Sequence, residues 1–224
     1  MTDIDALCDA LVSSNVDAIA ALIRQIEARG VSPDACYLDY IGAAARRMGE
    51  RWVDDCATFM EVTLAGGRLV SMLRELAFSF GGPEITPLPG HTILISNVPG
   101  EAHHLGAAIA AEYFRRARWR VVLLDGADRQ EIRACLAAEK FAVVGVSAGS
   151  RRMVPTLAET VRDVRRICPD AVVCVGGHIL ALEPEIVRTT GADHAGADPA
   201  MLAVLLRRHI PLPTLGPEFH HVEV

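Results

Sequence analysis

No run of eighteen apolar residues occurs anywhere in the 224-residue sequence, and its start, Met-Thr-Asp-Ile-Asp, has no basic stretch leading into an apolar one. Neither a membrane-spanning helix nor a secretory leader is expected, and the chain reads as soluble and cytoplasmic. Positive charge is also short: 22 Lys and Arg against 28 Asp and Glu leave a formal net charge of −6. No overall positive field exists to gather phosphates, so direct contact with nucleic acid is not expected. The basic pairs Arg46-Arg47, Arg115-Arg116, Arg151-Arg152 and Arg165-Arg166 are scattered along helix-like stretches and read as solvated faces. The six cysteines, at positions 8, 36, 56, 135, 168 and 174, lack Cys-x-x-Cys or zinc-like spacing and are expected as reduced thiols. Cys168-Pro169 is the one dipeptide that could ligate a haem through its thiolate, although a helix end explains it as well. Paired carboxylates, a nucleophile beside a base and a phosphate loop are all missing, which argues against a stand-alone enzyme.

What is present is aliphatic. Half of the residues are hydrophobic (51%) while only 5% are aromatic, a balance that suits packed helices and a buried parallel sheet. Residues 1 to 80 carry helical periodicity throughout. A short first helix is expected near 3 to 12. Val16, Ile19, Ile23 and Ile26 then recur at spacings of three and four before Gly30 stops the run. Ser32-Pro33 restarts it, a capping hydroxyl followed by proline at the first helical position. Tyr37, Ile41, Ala44, Met48 and Trp52 form one stripe, and Phe59, Val62, Gly66, Leu69, Leu73, Leu76 and Phe80 form the next. Together these four segments predict a four-helix bundle.

Gly81-Gly82-Pro83 and Pro87-Leu88-Pro89-Gly90 mark a linker over 81 to 90, after which the period changes. Short Val/Ile/Leu runs at 92 to 98, 120 to 125, 141 to 147, 171 to 175 and 192 to 196 alternate with amphipathic stretches near 103 to 117, 128 to 139, 153 to 167, 182 to 190 and 199 to 208. That alternation predicts an α/β unit over 91 to 210, a flavodoxin-like parallel sheet of five strands in the order 2-1-3-4-5 with helices on both faces. Residues 211 to 224 read as a loose tail.

In such a sheet, ligands bind beyond the carboxyl ends of the strands where the strand order reverses. The loops that follow strands 1, 3 and 4 would therefore line one crevice. They are Pro99-Gly100-Glu101-Ala102-His103-His104-Leu105-Gly106, Ser147-Ala148-Gly149-Ser150 and Gly176-Gly177-His178. A neutral imidazole such as His103 is a common metal ligand, and Glu101, two residues before it, has the reach to hold its second nitrogen. Gly106 and Gly176-Gly177 permit close approach of a bulky ligand, and the Ser147 hydroxyl can hydrogen-bond a ring nitrogen. Taken singly, each of these has an ordinary explanation as a cap, a turn or a surface residue; their convergence on one crevice is what points to a site.

In these loops the sequence resembles the cobalamin-binding domain of methionine synthase, corrinoid methyl carriers and cobalamin-dependent regulators. Their pattern of Asp-x-His-x-x-Gly, Ser-x-Leu and Gly-Gly stands here as Glu101-x-His103-x-x-Gly106, Ser147-x-Gly149 and Gly176-Gly177. Gly191-Ala192-Asp193, Asp198 and the preceding helical bundle extend the likeness over nearly the whole chain. The resemblance implies cobalamin held base-off with His103 on the cobalt and the nucleotide tail running between Ser147 and Gly176-Gly177. The upper corrin face would then lie under the bundle. Two positions depart from the pattern: Glu replaces Asp at 101, and Gly replaces Leu at 149.

The Glu form, together with Gly49-Glu50-Arg51-Trp52-Val53-Asp54-Asp55 and Phe59-Met60-Glu61-Val62-Thr63, is similar to sensory modules, including light-responsive regulators and antirepressors of photosynthesis genes in purple bacteria. By that resemblance Trp52 would lie over the cobalt and Glu61 would face the upper side. Trp52 also has a plainer reading, as the last core residue of its stripe. Val53 and Val62 occupy the places where light-responsive relatives often carry histidine, so an upper histidine adduct is not expected from them. His104 reads as surface, while His178 and His194 would border the pocket or face solvent. The expected function is a cobalamin-binding regulator acting through a protein partner such as a DNA-binding repressor, with a possible homodimer. The alternatives are a corrinoid carrier that serves methyltransferases and, further off, a haem sensor using His103 or Cys168.

Overall fold

The structure, a computed structural model, describes residues 3–14, 16–79, 86–206 and 209–210. Phe80, residues 81–85 of the expected linker and the tail over 211–224 lie outside the described residues.

The helical half contains α1 (Asp3–Val12), α2 (Val16–Ala28), α3 (Pro33–Ala35), α4 (Ala43–Val53) and α5 (Phe59–Ser79). Ser32 caps α3 as expected, its Oγ accepting from the Ala35 N–H at 3.2 Å with Pro33 in the first turn. The chain passes from α3 to α4 through a π-helical stretch, Cys36–Gly42, so the third bundle helix is continuous but widened in its middle. The stripes bury as anticipated along most of their length: Ile19, Ile23 and Ile26; Tyr37, Ile41, Ala44 and Met48; and Leu69, Leu73 and Leu76. At one end they do not. Trp52 is 51% exposed and Phe59 71% exposed, so the core reading of Trp52 fails and the buried stripe of α4 ends at Met48.

The second half contains β1 (Thr92–Asn97), α6 (Leu105–Arg116), β2 (Arg120–Leu124), α7 (Arg129–Ala138), β3 (Val143–Ser147), α8 (Val154–Ile167), β4 (Val172–Gly176), α9 (Ile179–Leu182), α10 (Ile186–Thr190), β5 (His194–Ala195) and α11 (Pro199–Leu206). A single 3₁₀ turn, Arg151–Met153, leads into α8. The five strands are all parallel in the order β2-β1-β3-β4-β5, as the βα alternation predicts. The helix expected over 182 to 190 forms only from Ile186 to Thr190 as α10, with the short α9 ending before it at Leu182. Pro184 lies between them, with no N–H to donate and a steric bias against helix in the residue before it.

Strand alternation divides the sheet into two buried faces. Leu94, Val144, Val146, Val173 and Val175 pack with α7 and α8, whereas Ile93, Ile95, Val143 and Cys174 pack with α6 and α11. Helix α6 is shared between the two halves. Ala107, Ala111 and Phe114 face the sheet, while Ile109, with Leu105 and Ala108 beside it, joins the bundle core. The loop preceding α6 therefore leads directly into a helix that both halves share.

Candidate functional site

The strand register brings three loops level with one another. Asn97 of β1 pairs with Ser147 of β3, and Ser147 pairs with Gly176 of β4, so the strands end in one row. The ladder runs on one step further through Val98 N–H to Ser147 O at 3.0 Å and Ala148 N–H to Gly176 O at 3.1 Å. The strand order reverses at β1, the place where open parallel sheets receive ligands.

Glu101 is the hub of the row. Its side chain is buried, and Oε1 accepts from the His103 backbone N–H at 3.0 Å and lies 2.5 Å from His103 Nδ1. Oε2 accepts from the Gly149 N–H at 2.6 Å, joining the β1 loop to the β3 loop. Burial alone would raise this carboxyl, but the donors from Gly149 and His103 outweigh it and hold the group below its ordinary value. An ionised carboxylate can only accept, so the proton between the two side chains belongs on Nδ1 of His103. In the neutral ring Nε2 is then the lone-pair nitrogen, and the His103 side chain is 77% exposed. A held Nδ1 and a free Nε2 are what a metal-ligating imidazole requires.

The glycines fall into three kinds. Gly106 stands in the first turn of α6, where an added Cβ would meet nothing within 4 Å, so packing within the chain does not demand glycine there. Gly177 has φ +94° and a Cβ there would lie 2.4 Å from Ala148 O and 2.8 Å from Ser147 Oγ, so only glycine fits. Gly176 is looser, its would-be Cβ 3.5 Å from Gly196 O. Ser147 and Gly177 are thus in contact, and Glu101, His103 and Gly149 form a second contact group beside them.

Trp52 and Glu61 stand on the helical half, outside the three strand-end loops. With Cys56, Thr58 and Phe59 they line a cleft of about 410 Å³ at the turn between α4 and α5, and none of the crevice loops contributes to its lining. The Glu61 carboxylate accepts from the Thr58 N–H at 2.7 Å and the Thr58 hydroxyl at 2.8 Å, while the Thr58 Oγ1 accepts from the Glu61 N–H at 3.2 Å, a capping box at the start of α5. Val53, Phe59 and Met60 are exposed beside Trp52.

His104, expected on the surface, is instead engaged: its Nδ1 pairs with the Asp125 carboxylate after β2 and lies 3.0 Å from Asn97 Nδ2. The two adjacent histidines thus serve opposite sides of β1, His103 toward β3 and His104 toward β2. Nothing in the spacing of residues 97, 104 and 125 announces that group. His178 is exposed at the start of α9, and His194 pairs with His209 through Nε2 atoms 2.8 Å apart. Gly191 and Asp198 are structural: Gly191 ends α10 at φ +77°, and Asp198 accepts from the Ala200 N–H at 2.8 Å. Asp193 ties β5 to β4 by accepting from Val173 N–H at 2.7 Å, and it pairs with Arg165 at 2.7 Å.

Cys168 precedes β4, at the end of the sheet away from the crevice. Its thiol donates to Leu136 O at 3.4 Å and is pushed up by burial, so it offers no thiolate to a ligand on His103. Among the described residues no three His, Cys, Asp or Glu side chains converge on a point that could hold an ion. A single exposed imidazole suits a metal that arrives with its remaining ligands already in place, as in a tetrapyrrole-like ring.

Comparison with known proteins agrees with that donor set. A family model described as the B12 binding domain matches residues 91–205. An uncharacterized 20.5 kDa protein of the bchF-crtJ intergenic region of Rhodobacter capsulatus is 29% identical over 173 residues, covering 77% of this chain and 90% of that protein. Among solved structures, the Methanosarcina barkeri monomethylamine corrinoid protein superposes with a TM-score of 0.77 at 14% identity, over 93% of this chain and 98% of that one. A cobalamin-binding protein from Desulfitobacterium hafniense DCB-2 superposes with a TM-score of 0.50 at 19% identity, over 94% and 100%. At these identities the structural likeness speaks for the fold. None of these comparisons lends support to haem.

Proposed function

The chain belongs to the B12-binding domain family, and on that premise we propose that it is a cobalamin-binding regulator in which His103 takes the cobalt from below and the loaded protein signals through a protein partner. The observation that carries the ligand assignment is the Glu101 clasp, which fixes the His103 ring through Nδ1 and leaves Nε2 to the metal. Bound cobalamin would supply a cobalt centre whose upper ligand is exchangeable and, in alkyl forms, labile to light.

This chain's own residues would do the rest. Glu101 orients the imidazole and raises its basicity. Gly106 gives the ring a bare stretch of backbone, and Ser147 with Gly176-Gly177 would receive the nucleotide tail between β3 and β4. Trp52 and the exposed apolar residues around it offer a surface for the upper side of the ring, with Glu61 holding the start of α5 in shape. The shared helix α6 gives a route from the crevice to the bundle, since its first turn adjoins His103 and Ile109 lies in the bundle core.

The regulatory reading draws on the Glu-x-His form of the loop and on the bundle segment around Trp52. A net charge of −6 and the lack of a basic recognition helix favour an output through another protein, such as a DNA-binding repressor, over direct DNA contact. Signalling requires that the partner bind the loaded and unloaded states with different affinity. Recovery of the same partner by immobilised protein, compared with and without cobalamin in dark and light, tests this: a dependence on loading or light is expected, and equal recovery throughout overturns it. The superposition on the Methanosarcina barkeri monomethylamine corrinoid protein over 93% of this chain favours a second reading, a methyl carrier partnered by a methyltransferase. Single-turnover demethylation of the methylcobalamin-loaded protein by such an enzyme would select it.

A further inference from the structure

The two positions at which the crevice departs from the family pattern, 101 and 149, are the two sides of one contact. An added Cβ on Gly149 would lie 2.7 Å from His103 Nδ1 and 3.2 Å from each Glu101 carboxylate oxygen, and those three atoms are its nearest neighbours. The glycine is not required by its backbone, since its φ does not fall in the left-handed region where side chains are strained. What excludes a side chain at 149 is the Glu101–His103 pair itself. The same bare backbone lets the Gly149 N–H reach Oε2 at 2.6 Å, so the loop after β3 both makes room for the carboxylate and anchors it.

We infer that Gly149 is a positioning residue for the metal ligand, coupled to Glu101 so that the longer acid and the missing side chain together set the orientation of the His103 ring. An acid one methylene shorter would draw back its carboxylate, and with it the imidazole that crowds a Cβ at 149 most closely, so aspartate with a side chain at 149 and glutamate with glycine are two solutions to one packing problem. Mixed combinations either crowd the imidazole or leave its Nδ1 loosely held. Gly149 acts through Glu101 and His103 and needs no contact with the corrin.

This inference deepens the cobalamin reading and rests on it for its consequence, but its test does not depend on cobalamin being retained. A double-mutant cycle of Glu101→Asp, Gly149→Ala and the double variant separates coupling from simple damage. In cofactor-free protein, the ¹⁵N shifts of the His103 ring report which nitrogen carries the proton. The parent should show a proton fixed on Nδ1, each single variant a ring averaging between tautomers, and the double variant a return to the parent pattern. In loaded protein, cobalamin affinity should fall about 10- to 100-fold in each single variant, the range found when the partner of a metal-bound histidine is removed. Most of that loss should be recovered in the double variant. Losses that add in the double variant, or a ring unchanged in Gly149→Ala, overturn the coupling. If corrin is not retained by the parent, or its spectrum is indifferent to His103→Ala, the cobalamin reading fails, while the ring shifts still decide the coupling.

Discussion

At Glu101 a carboxylate sits almost wholly out of water and remains charged because three N–H groups converge on its two oxygens. Its carboxyl is held below the ordinary 4.5, so the group binds its proton less readily in the folded protein than in the unfolded chain. The stability it contributes is complete above the unfolded value and is lost as pH falls through the folded value. Acid unfolding followed by circular dichroism should therefore be shallower in Glu101→Gln than in the parent below about pH 4.5. The same variant should weaken cobalamin about 10- to 100-fold at neutral pH, measured by titration of the corrin absorbance. The contact of Glu101 with His103 was legible from their spacing on one loop. The contact of Gly149 with Glu101 was not, because 48 residues separate the two and only the fold brings them together.

Among the elements, the end of the bundle at the turn between α4 and α5 departs most from helical periodicity. Spacings of four from Met48 and three to Val62 place Trp52 and Phe59 on their stripes, yet at this end of the bundle both are largely exposed. Periodicity reports which face of a helix is apolar; it does not report how far along that face a neighbour extends. Trp52→Ala should accordingly change stability by no more than about 0.5 kcal/mol, the range of surface substitutions, whereas a core tryptophan would cost about 3 to 5 kcal/mol. Chemical denaturation of the cofactor-free protein distinguishes the two. In the α/β half the strands and their order were readable because Val/Ile/Leu runs alternate with amphipathic stretches and parallel crossovers leave few arrangements. The late start of the helix at Ile186, against the expected 182, was readable in principle from Pro184, which lies inside the expected helix.

On the scale of the whole molecule, α6 joins the two halves. Its sheet-facing Ala107, Ala111 and Phe114 and its bundle-facing Ile109 make one helix part of two cores. Ile109→Ala removes a buried side chain from that joint and should destabilise the protein by about 2 to 5 kcal/mol. If the bundle and the sheet are coupled through α6, helical and near-ultraviolet signals should lose stability together in this variant; separate transitions with the bundle alone weakened would show that the halves behave independently. The sharing of α6 could not be read from sequence, where both its faces are simply apolar. Loop placement could, since the rule for ligands at the carboxyl ends of parallel strands selected the three loops that the register of Asn97, Ser147 and Gly176 sets side by side.

The absorption spectrum of purified protein incubated with cobalamin and passed through gel filtration, compared with that of His103→Ala, bears most directly on the ligand assignment. Corrin bands that co-elute with the parent protein and shift or vanish in His103→Ala are expected. A parent that elutes without corrin, or identical bands in the two proteins, would contradict His103 as the residue that takes the cobalt.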